Sequence, residues 1–254
     1  MEEILINDMD NLMMIWHNQL VPQSFCKLKK LNVHHCGNLK KVFPDNMLRM
    51  IRNLEELNIW NCASVEEIFE IRGVNVEETI DTVASTLRDM MLCNLPNLKH
   101  VWSSDPQANN LTFQNLHEVN ITNCISLKSV FPIFVAKGLS QLEKLSIKHC
   151  GVEEFVAMEE ESKTSVEFVL PQITCLKLED LPELKCFCSR KHTSKWPSLK
   201  RLEICQCSKL EIISSGDLSC HDTNGLDHHH VPIQQPFFLL GKVSAHTTSF
   251  VNIY

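Results

Sequence analysis

The chain has 254 residues, 44% of them hydrophobic, and carries 24 Lys and Arg against 31 Asp and Glu for a formal charge of −7. That acidic balance argues against a generic nucleic-acid or anionic-membrane binder, because both rely on clustered positive charge. The N-terminal MEEILIND puts acids where a signal peptide needs a basic segment and an apolar core, and no apolar run approaches the roughly 20 residues that cross a bilayer.

Taken in chain order, the apolar residues form one recurring unit. It begins as Ile4, Ile6, Met9, Leu12 and becomes explicit as Leu28, Leu31, Val33, Cys36, Leu39, which sets the spacing LxxLxLxxCxxL. The spacing returns as Leu54, Leu57, Ile59, Cys62, Val65 and then as Leu87, Met90, Leu92, Leu95, Leu98. Leu116, Val119, Ile121, Cys124, Leu127 follow, then Leu142, Leu145, Ile147, Cys150 with Val152 slightly early. Ile173, Leu176, Leu178, Leu181, Leu184 and Leu199, Leu202, Ile204, Cys207, Leu210 complete about eight units.

Successive units start 26 to 33 residues apart, at or just above the period of leucine-rich repeats. The spacing therefore predicts an α/β solenoid, a leucine-rich-repeat horseshoe with a parallel concave sheet and an irregular or short-helical convex side. In LxL the two aliphatic side chains point the same way from a short strand. The cysteine sits where the chain leaves that strand and turns inward, a small side chain that tolerates burial and can weakly hydrogen-bond backbone groups freed by the bend. One unit buries too little to offset its own ordering entropy, so the units must stack.

Between strands, PDNMLRMIRNLEEL (44–57) offers Asp45 as an N-cap followed by Leu48 and Ile51 at helical spacing, and PIFVAKGLSQLEKL (132–145) is its counterpart. Short convex helices are expected at both. The acidic, polar inserts at 71–86 and 157–171 read as loops. The unit tails repeat in threes, with NLMMIW (11–16), NLKHVW (97–102) and ELKCFC (183–188) of one type and LKKVFP (39–44) and LKSVFP (127–132) of the next. This pattern points to duplication of three-repeat blocks. Residues 1–213 are read as the repeat domain, and 214–254 as a low-complexity loop and an aberrant tail expected to be disordered.

These residues resemble a specific family, the imperfect leucine-rich-repeat region of plant coiled-coil-type nucleotide-binding disease-resistance (NBS-LRR) proteins. The features that carry the resemblance are LPNLKHVW (95–102), FxxLxx[LV]x[VI]xxCxxLKxVFP (25–44 and 113–132), LEELNIWNCASVEEIF (54–69) and LPELKCF (181–187). The resemblance implies a cytoplasmic immune receptor that uses this region to recognise a pathogen effector or a modified host protein and to restrain a nucleotide-binding switch domain. No GxxxxGK[ST] phosphate loop occurs in the chain. The chain also opens inside a repeat without a polar cap, as expected of a piece of a longer receptor.

Candidate sites follow from the alternation. The strand residues between the inward ones face solvent on the concave side and form the expected protein-binding surface: Asn32, His34, Asn58, Trp60, Met91, Asn120, Thr122, Lys148, Lys177 and Glu179. Trp60 stands out, since exposed tryptophan is enriched at binding hot spots. His34, Trp60 and Met91 are read as one column across successive repeats. CFC (186–188) and CQC (205–207) suggest zinc, but Cys207 points inward while Cys205 points outward, so no tetrahedral site converges there. Disulfides are disfavoured by the cytosolic reading, and cysteines are about one residue in twenty, below the level of disulfide scaffolds. His228, His229 and His230, near Cys220 and His221, read as a solvated run.

No nucleophile–base pair or paired carboxylate emerges, so neither an enzyme nor a cofactor is expected. The expected partner is a protein: an effector, a host protein, or the nucleotide-binding domain of a full-length receptor. The rival functions are the substrate-recognition module of a ubiquitin ligase, which calls for an adaptor-binding helical domain absent from this chain, and a fragment without independent function.

Overall fold

A computed structural model describes residues 1–16, 25–44, 47, 52–71, 83–104, 111–157, 166–188, 192–210 and 249–252. Each repeat contributes one five-residue strand: Glu3–Asn7, Lys30–His34, Glu56–Trp60, Asp89–Cys93, Glu118–Thr122, Lys144–Lys148, Cys175–Glu179 and Arg201–Cys205. These eight pair in parallel, in chain order, in one sheet. The register is that of the sequence repeat. Leu31 lies opposite Ile4 and Leu57, Met90 opposite Leu57 and Val119, and the same row continues through Leu145 and Leu176 to Leu202.

Strand alternation sends the two aliphatic positions inward. Leu31, Val33, Leu57, Ile59, Met90, Leu92, Val119 and Ile121 are essentially fully buried, whereas Ile4 and Ile6 at one end and Leu202 at the other are half-buried. Interior rungs thus have a repeat on each side, and terminal rungs have a repeat on one side only.

The strand exits are uniform. The residue after each strand adopts positive φ between 51° and 56°: Asp8, His35, Asn61, Asn94, Asn123, His149, Asp180 and Gln206. Left-handed backbone is tolerated best by glycine and by Asn or Asp, and these positions are mostly short polar side chains. At the first seven of these the turn aims the N–H at the last carbonyl of the next strand. His35 donates to Trp60 O at 3.0 Å, Asn94 to Thr122 O at 3.0 Å and Asp180 to Cys205 O at 2.8 Å.

The ladder cysteine comes one residue later and is buried at Cys36, Cys62, Cys124, Cys150 and Cys207. Its thiol donates back to the same carbonyl: Cys62 Sγ to Trp60 O at 3.3 Å, Cys150 Sγ to Lys148 O at 3.0 Å and Cys207 Sγ to Cys205 O at 3.4 Å. One carbonyl therefore serves both its own cysteine and the turn of the preceding repeat.

On the far side of the core the repeat tails form short parallel strands rather than helices. Lys41–Phe43, Glu67–Ile71 and His100–Ser104 make one three-stranded sheet, and Ser129–Pro132, Glu154–Ala157 and Cys186–Cys188 make another. The expected convex helix at 132–145 shrinks to Ile133–Ala136, with Pro132 at its N-cap and no side-chain cap bond. Asp45, Leu48 and Ile51 of the other expected helix lie outside the described residues. The tails adopt strand because their aromatic residues stack across repeats: Trp16 on Phe43 at 5.8 Å, Phe43 on Phe69 at 5.3 Å and Phe69 on Trp102 at 6.1 Å. Phe155 on Phe187 at 5.3 Å continues the same spine further along.

Two stretches read as loops contain strand. Val83–Ala84 pairs with Leu111–Thr112, and Val166–Val169 with His192–Lys195, both in parallel. At the C-terminal side Ser249–Asn252, which carries no repeat pattern, pairs antiparallel with Arg201–Cys205 and covers the edge of the last rung. Residues 211–248, including the histidine run, lie outside the described residues.

Candidate protein-binding face

The five-residue strands expose three outward positions, and the register arranges them in columns. The third column is Asn7, His34, Trp60, Cys93, Thr122, Lys148, Glu179, Cys205; the second is Leu5, Asn32, Asn58, Met91, Asn120, Ser146, Lys177, Glu203. All ten candidate residues occupy these outward positions. Their expected grouping needs one correction. Met91 is not in the column of His34 and Trp60; because Leu57 aligns with Met90, Met91 lies beside Asn58 and Cys93 lies beside Trp60.

The first column, Glu3, Lys30, Glu56, Asp89, Glu118, Lys144, Cys175 and Arg201, was not anticipated as part of this face. The signal for it was present, because alternation places the residue before each LxL outward as well.

The face divides in two. Over the second to fifth rungs its second and third columns are aromatic, apolar and amide. His34 and Trp60 stack at 5.0 Å and 15° between planes, with Trp60 39% and Met91 36% exposed. Asn58 donates to Asn32 Oδ1 at 2.8 Å and to Glu56 Oε1 at 3.0 Å, and Asn120 donates to Glu118 Oε1 at 2.9 Å. Over the sixth to eighth rungs the charges satisfy one another. Glu179 lies 3.4 Å from Lys148 and 3.5 Å from Lys177, Lys177 reaches Glu203 at 3.1 Å, and Arg201 closes on Glu203.

At Glu203 burial pushes the carboxyl up, but Lys177 and Arg201 outweigh it and hold the group below the usual carboxylate range. The hydrogen bond to Glu203 in turn raises Lys177. Lys148, Lys177 and Glu179 are thus engaged with neighbours, whereas Trp60 and Met91 present free apolar surface.

A second feature lies on the edge of the sheet. The left-handed turn residues bridge across repeats: Asn61 contacts His35 at 3.0 Å, Asn94 donates to Asn61 at 2.6 Å and Asn123 to Asn94 at 2.6 Å, while His149 contacts Asp180 at 2.8 Å. The row of bridges breaks between Asn123 and His149. There the sixth repeat is one residue short after Cys150, and Gly151 N–H turns back to Cys124 O at 3.3 Å. A Cβ at Gly151 would sit 2.0 Å from Ile125 O. The shortened turn leaves an open depression of about 560 Å³ between Ile125 and Pro182.

The ladder cysteines are free thiols, and burial pushes Cys62 and Cys207 up to about 11. Cys186 departs from the expectation of free cysteines and is disulfide-bonded; it lies on the convex strand Cys186–Cys188, away from the ladder. Cys205 is half-buried on the outward face while Cys207 is in the core, so the two do not converge. Among the described residues no three His, Cys, Asp or Glu side chains are grouped to hold a metal ion, and no helix is long and apolar enough to cross a membrane.

A family model described as plant disease resistance protein RPS2-like, leucine-rich repeats, matches residues 1–151. A probable disease resistance protein of Arabidopsis thaliana, At4g27220, is 24% identical over 189 residues, covering 74% of this chain and 17% of that protein's length. No solved structure gives a significant match.

Proposed function

Because this chain belongs to the family of RPS2-like leucine-rich repeats of plant disease resistance proteins, we propose that it is the protein-recognition module of a cytoplasmic immune receptor. Its repeat unit over residues 1–213 holds a pathogen effector or a guarded host protein on the concave face and carries out no catalysis. In a full-length receptor the same unit contacts the nucleotide-binding domain.

The observation that carries this reading is the outward surface of the second to fifth rungs. Asn32, His34, Asn58, Trp60, Met91, Asn120 and Thr122 stand side by side on a sheet held rigid by in-register pairing. Trp60 and Met91 remain more than a third exposed there. Exposed tryptophan with adaptable amides around it is the composition of a binding hot spot with a polar surround. Lys148, Lys177 and Glu179 extend the face as a charged rim that sets orientation more than affinity.

The reading is tested by affinity capture from plant extract with the wild-type chain, with Trp60→Ala, and with Glu183→Ala, a half-buried residue off the concave sheet. Proteins retained by wild type and Glu183→Ala are expected to be lost on Trp60→Ala while circular dichroism stays unchanged. A partner set indifferent to Trp60→Ala but lost on Glu183→Ala overturns the assignment to the concave face.

A further inference from the structure

The first outward column holds three acids in consecutive rungs. Asp89 lies in register with Glu56 on one side and Glu118 on the other. Adjacent strands lie about 4.8 Å apart, so the three carboxylates crowd one stripe of the sheet. The outer two are already engaged. Glu56 takes Lys30 at 2.7 Å and the Asn58 amide at 3.0 Å; Glu118 takes Lys144 at 3.2 Å and the Asn120 amide at 2.9 Å. Asp89, between them, is exposed and makes no side-chain hydrogen bond or ion pair among the described residues.

Like charges directly opposite in a sheet destabilise it, and here two cations face three anions. The deficit is one positive charge at Asp89.

The opposite end of the same strands is apolar. Trp60 is the fifth residue of the strand that begins at Glu56, with its ring stacked on His34 and Cys93 on its other side. Four residue steps at about 3.3 Å separate the acid column from the tryptophan column by about 13 Å. Met91 lies between them, 36% exposed.

We propose that the second to fifth rungs take a polypeptide segment bearing a lysine or arginine about 13 Å from an aromatic or aliphatic side chain. The cation lies among Glu56, Asp89 and Glu118, and the apolar group lies against Trp60 and Met91. This rests on the concave face being the binding surface, and adds the chemistry of what it binds.

Three observations converge on a cationic, amphipathic occupant. The unmatched charge calls for a cation, and arginine in particular bridges neighbouring carboxylates with its planar fork. The exposed indole calls for an apolar anchor, which an acidic or wholly polar segment does not supply. The overall charge of −7 favours approach of a basic partner over an acidic one, and the Glu56, Asp89 and Glu118 row gives that preference a location on the sheet. An extended chain covers about 13 Å in four residues, so both groups fit on one short segment laid along the strands.

The test is selection of a displayed library of random linear nonapeptides on the full chain, followed by affinity measurements on synthetic copies of the enriched peptides. Enriched sequences are expected to carry Lys or Arg with an aromatic or aliphatic residue roughly four positions away. Binding should fall at least about tenfold on Asp89→Lys and on Trp60→Ala, separately, and stay within about twofold on Asp89→Glu. Unchanged thermal midpoints establish that each variant is folded.

Enriched peptides that are acidic or uncharged overturn the proposal. Binders lost on Trp60→Ala but indifferent to Asp89→Lys also overturn it, while leaving the concave face as the binding surface. Binders indifferent to both substitutions overturn the proposal and the concave assignment together.

Discussion

A thiol is a weak donor, and at the strand exit weakness is an advantage. The carbonyl that ends each strand already accepts the N–H of the preceding turn, so it needs only a soft second partner on its remaining lone pair. Cys36, Cys62, Cys124, Cys150 and Cys207 supply that partner while filling core volume. These five thiols are therefore expected to resist iodoacetamide in the native chain, while half-buried Cys26, Cys93, Cys175 and Cys205 react first, as read by peptide mass mapping.

The same burial raises Cys62 and Cys207 to about 11. A raised thiol favours the protonated folded state. Its contribution is complete below the unfolded value of about 8.5 and is lost as pH climbs through the folded value. The urea midpoint should accordingly decline through the alkaline range. Gly151→Ala is expected to destabilise the fold, because its Cβ would meet the Ile125 carbonyl at 2.0 Å; about 1–3 kcal/mol is the scale of such overpacking, measured by urea unfolding. The inward turn of the cysteines was legible from spacing alone. The left-handed residue after each strand was missed, although the polar residue at that position (Asn in Asn61, Asn94 and Asn123) is visible in the sequence once the turn is known.

Within an element, each rung is held by both neighbours, so damage at one is felt at three. Leu57→Ala removes a fully buried side chain facing Leu31 and Met90 and should cost about 2–5 kcal/mol in urea unfolding. Asn94 combines positive φ with amide bonds to Asn61 and Asn123. Asn94→Ala should cost about 1–2 kcal/mol, and Asn94→Gly less, because glycine keeps the backbone conformation and loses only the bonds. Strand positions were readable because period two and the 26-to-33-residue repeat agree. The convex helix at 132–145 was overestimated: local helical spacing lost to cross-repeat contacts such as the tilted packing of Phe131, just before it, against Trp102 at 5.3 Å, which no local window contains.

Across the whole molecule, stacked repeats place Lys and Glu of successive units side by side. Glu153 sits between Lys128 and Lys185, and Glu66 meets Lys99 at 2.7 Å. Hydrogen bonds from these lysines hold Glu153 and Glu66 below the usual carboxylate range, as Lys30 does for Glu56. A depressed carboxylate stabilises the fold above its unfolded value and ceases to do so as pH falls through its folded one. The thermal midpoint should thus drop below about pH 4.3, the ordinary glutamate value. Because these pairs are mostly exposed, each is a small effect that salt screens further.

The parallel sheet and the outward position of the ten candidate residues were legible from the repeat. The charge asymmetry of that face was not, since it depends on which acids find lysines across the register. Of the four tryptophans, Trp16, Trp102 and Trp196 are 3–5% exposed and only Trp60 reaches solvent appreciably. The intrinsic emission of the chain therefore contains one quencher-accessible indole, placed on the concave face. Acrylamide quenching of that component reports occupancy there without any label, and a ligand seated elsewhere leaves it untouched.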